Sequence, residues 1–158
     1  MIEGLLIAVD PGPADCGVAI FRDGIYSSSS ICTSDSMVAA WSYPTDVQCT
    51  YVIEMIGHYG KGMPVGAEVF HTCVWIGRFL QAWGPERCHL VLRASIQARL
   101  CGTVAARDAN VRQVIIDRLG GPAARKKGGI LHGVKADAWQ AIAVGLAWLE
   151  GELNEVKL

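Results

Sequence analysis

Three carboxylates far apart in the chain, Asp10, Glu54 and Asp137, occupy settings where an acid is costly unless a cation meets it. Asp10 closes the apolar run Leu5-Leu6-Ile7-Ala8-Val9. Burying an isolated charge there costs several kcal/mol, so a compensating cation is required, and a divalent metal is a leading candidate. The plainer alternative is an Asp that caps the Pro11-Gly12 turn. Glu54 ends the run Cys49-Thr50-Tyr51-Val52-Ile53, where a strand-end surface acid is the alternative. Asp137 opens an apolar helix, where the helix dipole alone would favour it. If the three converge, they cannot all stay ionised without cations. Hard oxygen ligands select Mg²⁺ or Mn²⁺, and two such ions about 4 Å apart would clamp an in-line phosphoryl displacement.

The elements that must position these acids are legible from periodicity. Leu5–Asp10, Cys16–Phe21 and Ile25–Thr33 read as an antiparallel meander, its second turn marked by Asp23-Gly24. A short helix around Met37–Trp41 ends before Pro44, Cys49–Glu54 is the next strand, and 55–64 is a glycine-rich loop. Apolar spacing predicts a helix over 65–83, stopped by Gly84-Pro85, then a short strand His89–Leu92. Residues 94–101 fit helix or extended chain equally. Asp108–Leu119 reads as a helix closed by Gly120-Gly121-Pro122, 123–134 as a flexible basic loop, and Lys135–Glu152 as a last helix whose Ala138, Ala141 and Gly145 suit close packing on a sheet. Strands first, then alternating strands and helices, describe an α/β domain with a mixed five-stranded sheet, its first three strands antiparallel, flanked by helices. The simplest division is one domain over residues 1–158.

Composition bounds the class. Half the residues are hydrophobic, yet no run approaches the ~20 needed to span a bilayer, and no secretory signal opens the chain. Six scattered cysteines without a Cys-x-x-Cys pair argue against zinc or a disulfide framework and for a reducing, cytoplasmic setting, bacterial or host cytosol. Net charge is −1, but Arg78 to Lys135 holds 11 basic and 3 acidic residues, the remainder 3 and 12. That asymmetry suits one polyanion-facing side, with solvated helix faces as the alternative. Five tryptophans read as core or interface candidates, with Trp139 placed beside Asp137.

Ile7-Ala8-Val9-Asp10-Pro11-Gly12 with Gly17 resembles the opening of the RuvC family of Holliday junction resolvases. Tyr51-Val52-Ile53-Glu54 is similar to that family's second acidic strand, and Lys135-Ala136-Asp137-Ala138 with Ala141–Gly145 to its C-terminal acidic helix. The stretch from Val91 to Val111, with Gly102 and Ala106, is a looser match to the DNA-contacting region, and the compressed Ser34–Asp46 region suits a compact, phage-type member. The resemblance implies an RNase H-like fold and a homodimeric, metal-dependent endonuclease that nicks four-way junctions in pairs. It makes Asp10, Glu54 and Asp137 catalytic metal ligands for two Mg²⁺ or Mn²⁺ ions, with Asp10 shared between them. Two departures stand out. Gln140 occupies the place of a fourth acid; its carbonyl can ligate a cation but brings no charge. Gln97 and Asp108 stand near places where the family often has lysines, with Arg99 and Arg107 as candidate substitutes.

Arg125, Lys126 and Lys127 would meet phosphates, Arg93 and Arg99 would lie nearer the acids if that region is extended, Tyr59 would stack on an unpaired base, and His132 would assist as base or ligand. The expected function is therefore resolution of four-way DNA junctions. The alternatives are a broader fork, flap or Y-junction nuclease and a catalytically weak junction binder, which Gln140 keeps open. An actin-like or sugar-kinase ATPase opens similarly but needs a second, similarly folded half.

Overall fold

The computed structural model describes residues 4–40, 48–57, 65–151 and 153–157. Its centre is one five-stranded sheet in the order β3-β2-β1-β4-β5, built from β1 (Leu5–Pro11), β2 (Asp15–Arg22), β3 (Ile25–Thr33), β4 (Cys49–Met55) and β5 (Cys88–Leu92). β1, β2 and β3 are antiparallel neighbours, while β4 and β5 run parallel to β1. The Asp-Gly signal is realised as a two-residue hairpin between Arg22 and Ile25, with Asp23 at φ +49° and Gly24 at φ +78°. Both values belong to the turn whose twist matches the flanking strands.

The pleat divides the strand residues between two cores. Leu6, Ala8, Ala19, Phe21, Val52 and Val91 face α3 (Arg93–Cys101), α4 (Asp108–Arg118) and α5 (Ala138–Leu149). Leu5, Ile7, Val9, Val18, Tyr51, Ile53 and Leu90 face α1 (Ser34–Ala40) and α2 (Ala67–Trp83). On that second side Tyr51, Trp83 and Phe79 form a stack with successive centroids 4.6 Å apart. Because side chains alternate, Asp10 follows Leu6 and Ala8, and Glu54 follows Val52, both on the α5 side. Strand parity thus aims these two acids at one face, and Arg93 follows directly on β5 as the first residue of α3.

Helix α5 lies against β1 and β2 because small residues allow it. Eight of its twelve residues are buried, including Ala138, Ala141, Ala143, Gly145 and Ala147. A Cβ on Gly145 would stand 2.1 Å from Cε2 of the fully buried Phe21.

Two expectations need correction, and one open reading is decided. Residues 94–101 are helical: Ile96 and Leu100 pack into the core, and Gly102 at φ +74° closes α3, its amide donating to the Ala98 carbonyl. The basic loop is not open chain: after a short 3-10 turn, Gly121–Arg125, the Leu131 amide donates to the Ala124 carbonyl at 2.9 Å, and Leu131 is 2 % exposed. A buried anchor of that kind holds the turn closed. The last helix starts later than Lys135, with Asp137 at its cap and Ala136 at φ +40°. Among the described residues no helix is long and apolar enough to cross a membrane, and all six cysteines are free thiols.

Alanine at Gly145 would add about 1 kcal/mol of helix propensity, but overpacking a closed core costs about 1–3 kcal/mol. With the clash falling on a buried ring, Gly145→Ala is expected to lower the denaturant midpoint, and adding Phe21→Leu to restore part of the loss.

Candidate functional site

Asp10 pairs with Gly17 across the β1–β2 ladder, and Gly17 is where α5 begins its descent onto the sheet. A Cβ on Gly17 would lie 2.1 Å from the backbone oxygen of Asp137 and 2.9 Å from the amide nitrogen of Ala138. The glycine therefore lets the helix cap rest on the strand next to Asp10. Asp10 and Asp137 line one cavity of about 260 Å³, together with Asp108, Arg112, Trp139 and Gln140. Trp139 stands at the wall of this cavity, its Nε1–H donating to the Val134 carbonyl at 3.1 Å, with the Arg112 guanidinium 5.1 Å over its ring.

Glu54 is buried, at 8 % exposure, and both of its oxygens have partners. Arg93 Nε donates to Oε1 at 2.8 Å, and Gln140 Nε2 donates to Oε2 at 2.5 Å. Arg93 also reaches Asp108, with Nη1 3.7 Å from Oδ1. Burial opposes the charge on Arg93, but Glu54, with Asp10 and Asp108 behind it, outweighs burial and raises its pKa. Asp10 and Arg93 also line a second cavity, of about 490 Å³, with Glu54, Pro11, Gly12, Glu68 and Thr72. The two cavities share Asp10, near the end of β1, and Arg93, just past the end of β5, where strand ends leave room for a site.

The charge balance shows on Asp10. Its pKa is pushed from 3.8 up to about 8, first by burial, then by Glu54, with smaller contributions from Asp137 and Asp108, while Arg93 pulls the other way. Without a cation, burial and the neighbouring acids therefore favour the protonated form of Asp10. Among the described residues no group of three His, Cys, Asp or Glu side chains is gathered tightly enough to hold an ion in this arrangement. Both oxygens of Glu54 are taken by Arg93 and Gln140 in this arrangement.

The remaining residues singled out from the sequence divide between the cleft and elsewhere. Arg93 is at the cleft even though its segment is helical, because it is the first residue of α3. Arg99 is not: it lines a separate groove of about 470 Å³ with Ser95, Ala98, Val104 and Asn154. Gln97 donates to the Ala106 carbonyl at 2.8 Å and so ties down the loop before α4. Arg107, Arg125, Lys126, Lys127 and His132 are exposed, and Tyr59 lies outside the described residues. Asp108, Arg112 and Glu68 were not anticipated at the cleft. Asp108 and Glu68 carry only the mark of acids in a helix's first turn, a pattern the dipole alone explains.

No family model matches the chain, and no curated protein matches its sequence. Solved structures do match in fold. The Thermus thermophilus RuvC structure superposes with a TM-score of 0.65 at 12% identity, covering 96% of this chain and 99% of that one. T. thermophilus RuvC in complex with Holliday junction substrate gives 0.68 at 13% identity, covering 98% and 100%. The fold is RuvC-like over nearly the full length.

A raised carboxyl pKa means the folded state binds its proton more tightly than the unfolded chain does. The contribution of Asp10 to metal-free stability should then be lost as pH rises from about 4 through about 8. Thermal unfolding of metal-free Asp10→Asn is expected to match wild type near pH 4 and to exceed it at pH 8. A stability difference between the two proteins that does not grow from pH 4 to pH 8 would contradict the assignment.

Proposed function

We propose that this chain is a metal-dependent endonuclease acting on branched DNA, with the four-way junction as its substrate and a homodimer as its working form. One observation carries the reading: acids from three distant segments, Asp10, Glu54 and Asp137, border adjoining cavities at the strand ends of a RuvC-like sheet. One structural neighbour is described in complex with a Holliday junction substrate, which supports the choice of DNA class.

The residues fit a divalent cation by their chemistry. The donors are hard oxygens, and the acids lining the cleft outnumber its arginines, Arg93 and Arg112. Asp10 and Asp137 would hold the ion on the α5 side, with Glu54 contributing once its oxygens are released. A bound cation would stabilise charge on the phosphate and lower the pKa of an attacking water. The protein's part is positional. Gln140 and Arg93 orient Glu54, Gly17 sets Asp137 beside Asp10, and Arg112 is held at the cavity by Trp139. Exposed Arg125, Lys126 and Lys127 would bind the phosphate backbone through charge, without reading sequence. A second reading, a junction binder that cuts poorly, draws support from the engaged state of Glu54 and from Gln140, which adds no charge.

Asp10→Asn is expected to reduce metal-dependent nicking of a synthetic four-way junction to below about a thousandth, several kcal/mol of lost transition-state stabilisation. Junction binding in a gel-shift assay should persist. Loss of binding together with loss of folding would remove Asp10 from the catalytic role. Replacing Arg125, Lys126 and Lys127 by Ala should weaken binding to all junction sequences alike. It should flatten the dependence of affinity on salt by about one unit of slope for each phosphate that is no longer neutralised. An unchanged slope would place DNA on another face.

A further inference from the structure

Arg93 occupies the position that a cation for Glu54 would take. Its Nε–H points at Oε1 from 2.8 Å, while Nη1 stands 3.7 Å from Asp108. The guanidinium therefore spans two acids across the mouth of the cleft, and its side chain is 45% exposed against 10% for Glu54. Glu54 is the inner, anchored member of the pair. Arg93 is the outer one, with solvent and a second carboxylate on its far side. Around the two cavities, Asp10, Glu54, Glu68, Asp108 and Asp137 face Arg93 and Arg112, so acids outnumber the cleft's own cations.

We infer that Arg93 is the resident counter-ion of the Glu54 half of the cleft and competes with a divalent cation for that carboxylate. The inference rests on the metal-dependent reading of the site. With Arg93 on Glu54, the free protein takes up one ion, on the Asp10–Asp137 side, and a second enters only as the guanidinium leaves Oε1. Asp108 is the partner already within reach when it does so. A DNA phosphate at the cleft is the other acceptor suited to a guanidinium fork. Arg93 is thus a positioning residue that couples metal load to occupancy of the cleft. No bond is made or broken in this exchange; one cation replaces another on a carboxylate.

The test is Mn²⁺ binding to the full chain without DNA, with free Mn²⁺ read by electron paramagnetic resonance, for wild type, Arg93→Gln, Arg93→Lys and Asp10→Asn. Wild type should bind one ion per chain in a manner that Asp10→Asn abolishes. Arg93→Gln should bind a second ion, with affinity raised about tenfold or more over the second site of wild type, the size of one charge-assisted hydrogen bond no longer competing. Arg93→Lys keeps the charge but loses the Nε–H aimed at Oε1, and should shift the same affinity in the same direction by a smaller factor. It also keeps the test valid if Arg93→Gln leaves Glu54 too exposed to an unpaired charge to fold. A purely structural Arg93 predicts the opposite sign: weaker or unchanged Mn²⁺ binding in both Arg93 variants overturns the inference while leaving the metal site standing. Absence of Asp10-dependent Mn²⁺ binding in every form overturns the metal reading and the inference together.

Discussion

The site depends on a close approach of two backbones. Where the cap of α5 meets β2, the Asp137 carbonyl lies so near Gly17 that no side chain fits between them. Gly17 is also the ladder partner of Asp10, so this single approach sets the two acids in one cavity. The further course of α5 follows from the same economy of volume. Its alanines and Gly145 keep the helix low over β1 and β2, with Phe21 filling the space a larger residue would need. A helix raised by one methyl group at either glycine would carry Asp137 away from Asp10.

Electrostatics then shapes the cleft that packing has made. Five carboxylates line the cleft against two arginines, and at Asp10 and Glu54, the two that lie deepest, the structure disposes of the charge in two ways. Asp10 favours its protonated form, its pKa pushed up to about 8 by burial and by Glu54 and its other acidic neighbours. Glu54 instead remains paired with Arg93 and Gln140. The two solutions differ because Glu54 has donors within reach of both oxygens, whereas Arg93 reaches Asp10 only through space.

The lopsided charge along the chain is partly folded away. Arg78 meets Asp35, Arg93 meets Glu54, and Arg118 pairs with Glu150, each joining the basic segment to an acid outside it. Arg87 stacks toward Tyr51, on the α2 side of the sheet. The local excess read from the sequence therefore does not appear as a single uninterrupted basic face. What stays exposed beyond these pairs includes Arg107, Arg112 and Lys135, with Arg125, Lys126 and Lys127 on a turn clamped by Leu131.

The sequence by itself determined the alternation that lays down the five strands, the Asp23-Gly24 hairpin, the apolar spacing of α2 and α5, and the candidacy of Asp10, Glu54 and Asp137. These are local matters of period and turn chemistry, and each can be read within a dozen residues. Only the tertiary structure decided the state of residues 94–101, where helix and strand patterns were evenly matched until packing of Ile96 and Leu100 into the core chose between them. It alone separated Arg93, at the cleft, from Arg99, in another groove, although both were equally basic candidates in sequence. It alone brought Asp108 and Arg112 to the acids and turned Gln140 toward Glu54. Those relations join residues dozens of positions apart, through strand register and the height of a helix above a sheet. Neither quantity leaves a periodic trace in the chain.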